Sequence, residues 1–561
     1  MKRVVVFLVA ACVCASVRAP HAATAGSKPA ALDAAAFRQA LQRRVADQPG
    51  VGIIVGIIDH GRTSIFTAGS SGTARPLDEH TLFEIGSVTK TFTATILAGM
   101  VLDGSVSLDD PVSKYVPKDV RVPSRNGKQI TLLNLATQHS GLPRLPTNMQ
   151  PANPNDPYAD YSLADLYAFL DSYRLTRDPG AQFEYSNLGV GLLGDALANR
   201  AGESYAQLLH DRVLAPLHMD DTWLQTTARQ VADVAAGHNG DGTPVPEWNF
   251  QALAPAGAIR SSLADMLKYL RCNLGQGPLA KACLFAQQPR DSFPGNHIGL
   301  IWWTDDTTKI IHHGGDTAGY HAGIAISPDH TRGAVVLSNG GTPVEDVAMH
   351  VIDPSLAMFA PPAVVQLAPS TLDDYVGTYS ATEGQRLTFT ILRNGDQLRV
   401  QLTGQPFFDV YPSAKDHFFY RVVDAQIDFT REASGKVNAL VLHQNGVTLV
   451  AVKAGMKAPP IAQPSFPPVA TLDSQTLQSY VGTYTAGQGL QFTVTLQGTQ
   501  LMVQLTGQPA APVYPSAKDH FYYKIVNAQI DFERDADGNV TDLILHQNGQ
   551  SIKALRAQPS S

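Results

Sequence analysis

The chain has 561 residues, of which 44% are hydrophobic and 16% charged, with 46 Gly and 37 Pro. That length and apolar content suit several packed domains and exclude a disordered, collagenous or coiled-coil chain. Forty-two Lys plus Arg against 49 Asp plus Glu give a net charge of −7 without any basic cluster, so no nucleic-acid partner is expected.

Residues 1–25 read as a secretory leader: Lys2 and Arg3, the apolar run Val4 to Val17, then small residues ending in Ala23-Thr24-Ala25. The run is shorter than the ~20 residues that span a bilayer, and nothing downstream is longer. A secreted or periplasmic protein with no transmembrane segment after leader removal is therefore expected. Losing Lys2, Arg3 and Arg18 takes the charge from −7 to −7 − 3 = −10. A competing lipoprotein box, Val9-Ala10-Ala11-Cys12, would leave an unusually short apolar core. Cys12 and Cys14 depart with the leader, and Cys272 and Cys283 remain. In an oxidising compartment these two can pair across a short loop after a helix; two reduced buried thiols are the alternative.

Residues 33–358 alternate helical and strand patterns. Val51 to Asp59 and Ser64 to Ala68 predict a hairpin turning at His60-Gly61, and Thr91 to Leu102 is apolar enough for a buried helix. Further strands are expected at Gly299 to Trp303 and at His321 to Ser338, turning at Pro328-Asp329. Strands at both ends with helices between point to an α+β domain whose antiparallel sheet is closed by the two ends of the segment.

Pro-rich stretches at Phe359 to Ser370 and Ala454 to Ala470 bracket an internal repeat. Leu402 to Gly446 returns at Leu505 to Gly549, an offset of 505 − 402 = 103, with 31 of 45 positions identical. Each copy opens with Tyr-Val-Gly-Thr-Tyr, at Tyr375 to Tyr379 and Tyr480 to Tyr484, and then alternates apolar and polar residues. Asn394-Gly395, Asn445-Gly446 and Asn548-Gly549 are hairpin-turn signals. Two small antiparallel β-barrels, over 370–455 and 471–557, satisfy this pattern without open edges.

Three motifs carry chemistry. Ser87-Val88-Thr89-Lys90 is the only Ser-x-x-Lys; three apart on a helix, both side chains share one face. In a poorly hydrated cleft the lysine can accept the serine proton. Tyr185-Ser186-Asn187, the only Tyr-x-Asn, sits in a turn leading into a helix. A phenol there, near two cations, is expected to lose its proton easily, while the Asn187 amide can hold both Lys90 and a substrate amide. The third motif is His313-Gly314-Gly315-Asp316-Thr317-Ala318-Gly319-Tyr320, between two strand patterns. Its glycines let a substrate backbone approach a strand edge, the Ser87 and Asp316 N–H groups are oxyanion-hole candidates, and His313 offers hydrogen bonding or positive charge near the leaving group. His312, His313 and His321 raise a zinc reading, but no nearby Glu or Cys completes a usual ligand spacing, so no metal is expected.

These motifs, in this order and at these intervals, resemble the class C β-lactamase and D,D-peptidase group of penicillin-recognising serine hydrolases, which includes D-aminopeptidases and some esterases. The resemblance spans about residues 45 to 345 and takes in Leu108-Asp109-Asp110-Pro111-Val112, His139-Ser140-Gly141-Leu142-Pro143 and Pro255-Ala256-Gly257-Ala258-Ile259-Arg260-Ser261-Ser262. It implies an antiparallel sheet flanked by helices, an all-helical part, and no cofactor. It also implies Ser87 as nucleophile, proton transfer shared by Lys90 and Tyr185, a catalytic contribution from His313, and substrate binding by Asn187, Gly314, Gly315 and Thr317.

The chain departs from the group at His313-Gly314-Gly315, where cephalosporin-cleaving members carry Lys-Thr-Gly. That histidine looks more like the D-aminopeptidase and esterase branches, and the D-aminopeptidases also carry two C-terminal lipocalin-like barrels, one of which sends a loop toward the active site. The resemblance thus implies an exported acyl-enzyme hydrolase of small amides or esters, such as D-amino-acid peptides of the D-aminopeptidase or D,D-carboxypeptidase type, some of them peptidoglycan-derived. Carboxylesterase, β-lactamase and a catalytically silent binder of peptidoglycan fragments are the alternatives.

Overall fold

The computed structural model describes residues 32–557 apart from 47, 226–232, 241, 360, 382–386, 404–406, 422–424, 445–446, 457–468, 487–490, 506–510, 524–527, 536 and 548–549. The leader, the Asn445-Gly446 and Asn548-Gly549 turns and most of the second Pro-rich stretch lie outside the described residues. The described chain divides between Pro361 and Pro362 into two compact units.

The first unit is built on an eight-stranded antiparallel sheet. Its strands are β1 (Gly52–Asp59), β2 (Arg62–Gly69), β8 (Asp291–Phe293), β9 (Asn296–Ile298), β10 (Trp303–Asp305), β11 (Ile311–Asp316), β12 (His321–Ile326) and β13 (Arg332–Ser338), in the order β2-β1-β13-β12-β11-β10-β9-β8. Small sheets are made by β3 (Leu82–Glu84), β6 (Thr222–Trp223) and β7 (Arg260–Ser262), and by the hairpin of β4 (Ser124–Arg125) and β5 (Lys128–Gln129). Seven of the eight residues of β1 are buried, as expected for a central strand covered on both faces. Pairing of Ile53 with Ser338 brings the two ends of the unit together.

One face of the sheet packs on α1 (Ala34–Val45) and α10 (Glu345–Ile352), and the other on α8 (Leu263–Asn273). Between the strand groups run α2 (Thr89–Leu102), α3 (Leu132–Ala136), α4 (Leu163–Ser172), α5 (Asn187–Ala201), α6 (Tyr205–Leu209), α7 (Ala254–Gly257) and α9 (Ala280–Gln287). Helix α2 is buried nearly all round, its four threonines and Lys90 included. A disulfide joins Cys272 of α8 to Cys283 of α9. Among the described residues no helix is long and apolar enough to cross a membrane.

Two sequence expectations change. Gly299 to Trp302 is a bend, not a strand: Ile301 takes φ 69°, and its N–H donates to Ala136 O at 2.8 Å. Leu300, Ile301 and Trp302 are buried; a short apolar run looks the same whether it is a strand or a packed bend. The His313 to Asp316 segment, expected between strands, is itself part of β11.

The second unit holds two closed eight-stranded antiparallel barrels, one between Gly377 and Lys453 and one between Gly482 and Arg556. First and last strands pair at Tyr379 with Lys453 and at Tyr484 with Arg556. Each interior is a packed core, centred in the first barrel on Tyr375, Tyr379, Phe389, Phe418 and Phe429. The repeated motif explains itself here. The Tyr375 hydroxyl donates to Asp416 Oδ1 at 2.9 Å and accepts from Asp416 N at 3.0 Å, while the Tyr379 hydroxyl donates to Tyr375 O at 2.7 Å. Tyr480, Asp519 and Tyr484 repeat the pattern at 2.9, 3.0 and 2.7 Å.

Candidate active site

Ser87 lies in a 3-10 turn, Gly86–Val88, that feeds α2. Strand β3 ends just before this turn, and β11 packs across it. A Cβ on Gly315 would stand 2.0 Å from Ile85 O and 3.0 Å from Ser87 N, and one on Gly86 would stand 2.6 Å from Asp316 N. Two bare glycines thus allow the turn and the strand to touch.

Lys90 Nζ donates to Ser87 Oγ at 2.8 Å and to Ala256 O at 2.6 Å. Its side chain is 0% exposed while Ser87 is half-buried, so the amine is the more deeply placed of the two. Burial, reinforced by the charge of Arg144, holds Lys90 well below the ordinary lysine range against the pull of Asp316.

Tyr185 reaches the same hydroxyl. Lys90 Nζ lies 4.9 Å and Arg144 Cζ 5.0 Å from its ring centroid, and Trp303 packs edge-on at 6.2 Å. Burial pushes the phenol above its ordinary value; the Ser87 hydroxyl and Arg144 oppose this and are outweighed. The sequence expectation of an easily lost proton is corrected: neighbouring cations were counted, but desolvation is larger. Ser186 fixes the motif. Its N–H donates to Gln138 Oε1 at 2.7 Å, its hydroxyl donates to Pro143 O at 2.7 Å, and the hydroxyl oxygen caps α5 through Gly189 N at 2.8 Å.

Asn187 does not hold Lys90. Its Nδ2 points to the Tyr158 hydroxyl at 3.5 Å and its buried Oδ1 has no partner. His313 is 2% exposed and places Nδ1 2.6 Å from Gly314 O. Burial, then the nearby Lys90, push its pKa down to about 3, so the positive charge expected of it is absent at neutral pH. A Cβ on Gly314 would meet Glu345 at 2.8 Å, which turns this glycine's bare face toward α10. Thr317 is buried. Burial pushes Glu84 up to about 7, against Arg260 3.1 Å away.

The hydrogen bond from Thr317 N to Tyr320 O at 3.0 Å, with the alternation of an antiparallel ladder, directs the Asp316 N–H away from β12. Strand β10 pairs with β11 only at Ile311 and His312, so that N–H emerges past its end, beside the Ser87 turn. The Asp316 carboxylate pairs with His321.

A family model for Beta-lactamase matches residues 37–353. The chain belongs to the beta-lactamase family. That makes it a serine hydrolase of the β-lactamase and D,D-peptidase type. Among its relatives, the D-alanyl-D-alanine-carboxypeptidase/endopeptidase AmpH of Escherichia coli K12 is 32% identical over 281 residues, covering 48% of this chain and 69% of that protein. A beta-lactamase of Escherichia coli K12 is 27% identical over 332 residues, 52% of this chain and 85% of that one. The beta-lactamase/D-alanine carboxypeptidase structure from Pseudomonas syringae shares the fold, with a TM-score of 0.50 at 22% identity over 57% of this chain and 98% of that one. Residues 361–454 and 467–559 each match a domain of unknown function, DUF3471.

Sequence reasoning missed several neighbours of the beta-lactamase-family site. Arg144 follows the His139 to Pro143 motif directly and also accepts from Asn187 N through its carbonyl at 3.0 Å. Ala256 lies within a quoted motif, yet only the fold shows that its carbonyl receives Lys90. Trp303 and Tyr158 carried no local signal.

Proposed function

We propose that the chain hydrolyses amide or ester bonds of small substrates through an acyl-enzyme on Ser87, D-amino-acid peptides being the substrate class. The observation that carries this is the 2.8 Å contact between Ser87 Oγ and a buried Lys90 amine. An uncharged amine there accepts the serine proton as Oγ attacks the carbonyl carbon. Tyr185, kept protonated, donates a hydrogen bond at Ser87 and relays a proton from Lys90 to the leaving group. The Ser87 and Asp316 N–H groups stabilise the oxyanion, and Asn187 orients the substrate. Water then attacks the acyl carbonyl, its proton passing to Lys90 and on to Ser87 Oγ as the acyl–oxygen bond breaks and the acid leaves.

The D-alanyl specificity named for the AmpH relative supports this substrate class. Export to the periplasm or beyond is part of the reading, supported by the leader pattern over 1–25 and by a disulfide that an oxidising compartment maintains. So is the division into a catalytic domain at 33–358 and barrel domains at 370–455 and 471–557. The test is a rate panel on a D-alanyl p-nitroanilide, a short acyl p-nitrophenyl ester and a chromogenic cephalosporin, run with the full chain and with Ser87→Ala. Fastest turnover of the D-alanyl amide, lost in the variant, is expected. Turnover of the D-alanyl amide that survives Ser87→Ala would reject the assignment, and fastest turnover of the ester or the cephalosporin would reject the substrate class.

A further inference from the structure

We propose that Glu84 and Arg260 form a positioning pair for Ser87 and Lys90, and that one proton on the Glu84 carboxyl switches the pair between an aligned and a loosened state. This deepens the acyl-enzyme reading and rests on it. Arg260 is 1% exposed, and all five of its guanidinium N–H groups are engaged. Nε donates to Glu247 Oε2 at 3.0 Å, and Nη1 to Leu224 O at 2.8 Å and Ala258 O at 3.0 Å. Nη2 donates to Glu84 Oε1 at 3.1 Å and Trp248 O at 2.5 Å. One side chain thereby ties the end of β3 to β7 and to the segments at 224 and 247–248. Both members of the reacting pair depend on this tie. Glu84 stands opposite Arg260 in the β3–β7 ladder, the N–H of Ile85 donates to Ile259 O at 3.0 Å, and Ser87 follows two residues later. Ala258 lies two residues beyond the Ala256 carbonyl that receives Lys90, and Ile259 N donates to the hydroxyl of Thr89, beside Lys90, at 3.1 Å. A Cβ on Gly315 would stand 2.0 Å from Ile85 O, so β11 leaves no slack and a shift at the end of β3 passes to the Ser87 turn.

Two carboxylates, Glu84 and Glu247, share the single guanidinium. The Glu247 side chain is 25% exposed, whereas Glu84 is 2% exposed. Glu84 Oε1 also accepts from Trp248 N at 2.7 Å, and Oε2 is buried without a partner. The more buried acid, short of a donor for its second oxygen, is the one that keeps a proton; burial outweighs Arg260 there, and Glu247 adds to the upward push. Ionised, Oε2 becomes a buried charge without a donor, and recruiting one requires β3 or the 247–248 segment to move. Tyr320 is the other titratable group beside Glu84; its phenol donates to Ala235 O at 2.7 Å and is held well above its ordinary value by burial, so it stays neutral.

The test uses the full chain and a fluorophosphonate that labels the nucleophilic serine, with the saturating labelling rate and the half-saturating probe concentration measured across pH. The wild-type rate is expected to fall about tenfold between about pH 6 and pH 8, as the protonated fraction of Glu84 falls, with the half-saturating concentration unchanged. Glu84→Gln, which cannot ionise, is expected to lose this fall. Glu247→Gln leaves Arg260 to Glu84 alone and is expected to move the fall to lower pH. A wild-type rate that is level or rises over this range, a change confined to the half-saturating concentration, a fall kept in a folded Glu84→Gln protein, or one unmoved in Glu247→Gln would overturn the inference. If either variant does not fold, the wild-type profile and the other variant decide. Absence of labelling in the wild type at every pH would instead overturn the acyl-enzyme reading.

Discussion

The repeated barrel tyrosines and two side chains beside Ser87 differ in how their buried polar atoms are partnered. In the barrels the hydroxyls of Tyr375, Tyr379, Tyr480 and Tyr484 are all paired, through the same bonds in both copies. In the cleft Asn187 Oδ1 and His313 Nε2 are buried without partners, and Lys90 is buried with the charge of Arg144 nearby. Satisfied networks specify a rigid core. Unsatisfied ones lower stability, and they persist where a ligand or a proton transfer will use them.

The largest effect should come from Lys90→Met. It replaces the buried amine by an apolar chain of similar length, so kcat/KM should fall by about 10³-fold or more. Denaturant stability should change by no more than about 2 kcal/mol. A large stability loss with activity retained would place Lys90 on the packing side of the comparison.

Gly315→Ala should follow, with a loss of about 3 kcal/mol or more by urea titration, because the new Cβ would lie 2.0 Å from backbone at Ile85. Activity should fall with it, since β11 must shift away from Ser87.

Glu84 gives a pH signature. Its folded value of about 7 lies above the ordinary 4.5, so the unfolded chain releases this proton first. Stability should therefore fall as pH rises from about 4.5 to about 7, and Glu84→Gln should flatten that slope. Chemical denaturation across this window reads it directly, and an unchanged slope would remove Glu84 as the cause.

Tyr379→Phe should be smallest. It deletes one paired hydroxyl in the first barrel, costs about 1 kcal/mol of stability, and leaves hydrolysis unaltered.

The same contrast explains what the sequence made legible. The barrels were readable as a duplication with alternating hydrophobicity, because their chemistry is local pairing repeated strand by strand. In the cleft, the i,i+3 spacing of Ser87 and Lys90 was readable because one turn of chain fixes it. The Ala256 carbonyl, Arg144 and Trp303 come from segments joined only by the fold. The direction of the Tyr185 shift was misread for a related reason: charges are visible in a sequence, whereas desolvation belongs to the packed structure. The bare faces of Gly314 and Gly315 also accommodate Glu345 and the Ser87 turn, a packing role that the sequence did not reveal.

Peptide-mapped mass spectrometry of the full chain after fluorophosphonate treatment bears most directly on Ser87 as nucleophile. A single adduct on the peptide containing Ser87, formed in the wild type and lost in both Ser87→Ala and Lys90→Met, is expected. An adduct on another residue, or equal labelling of Ser87→Ala, would contradict it.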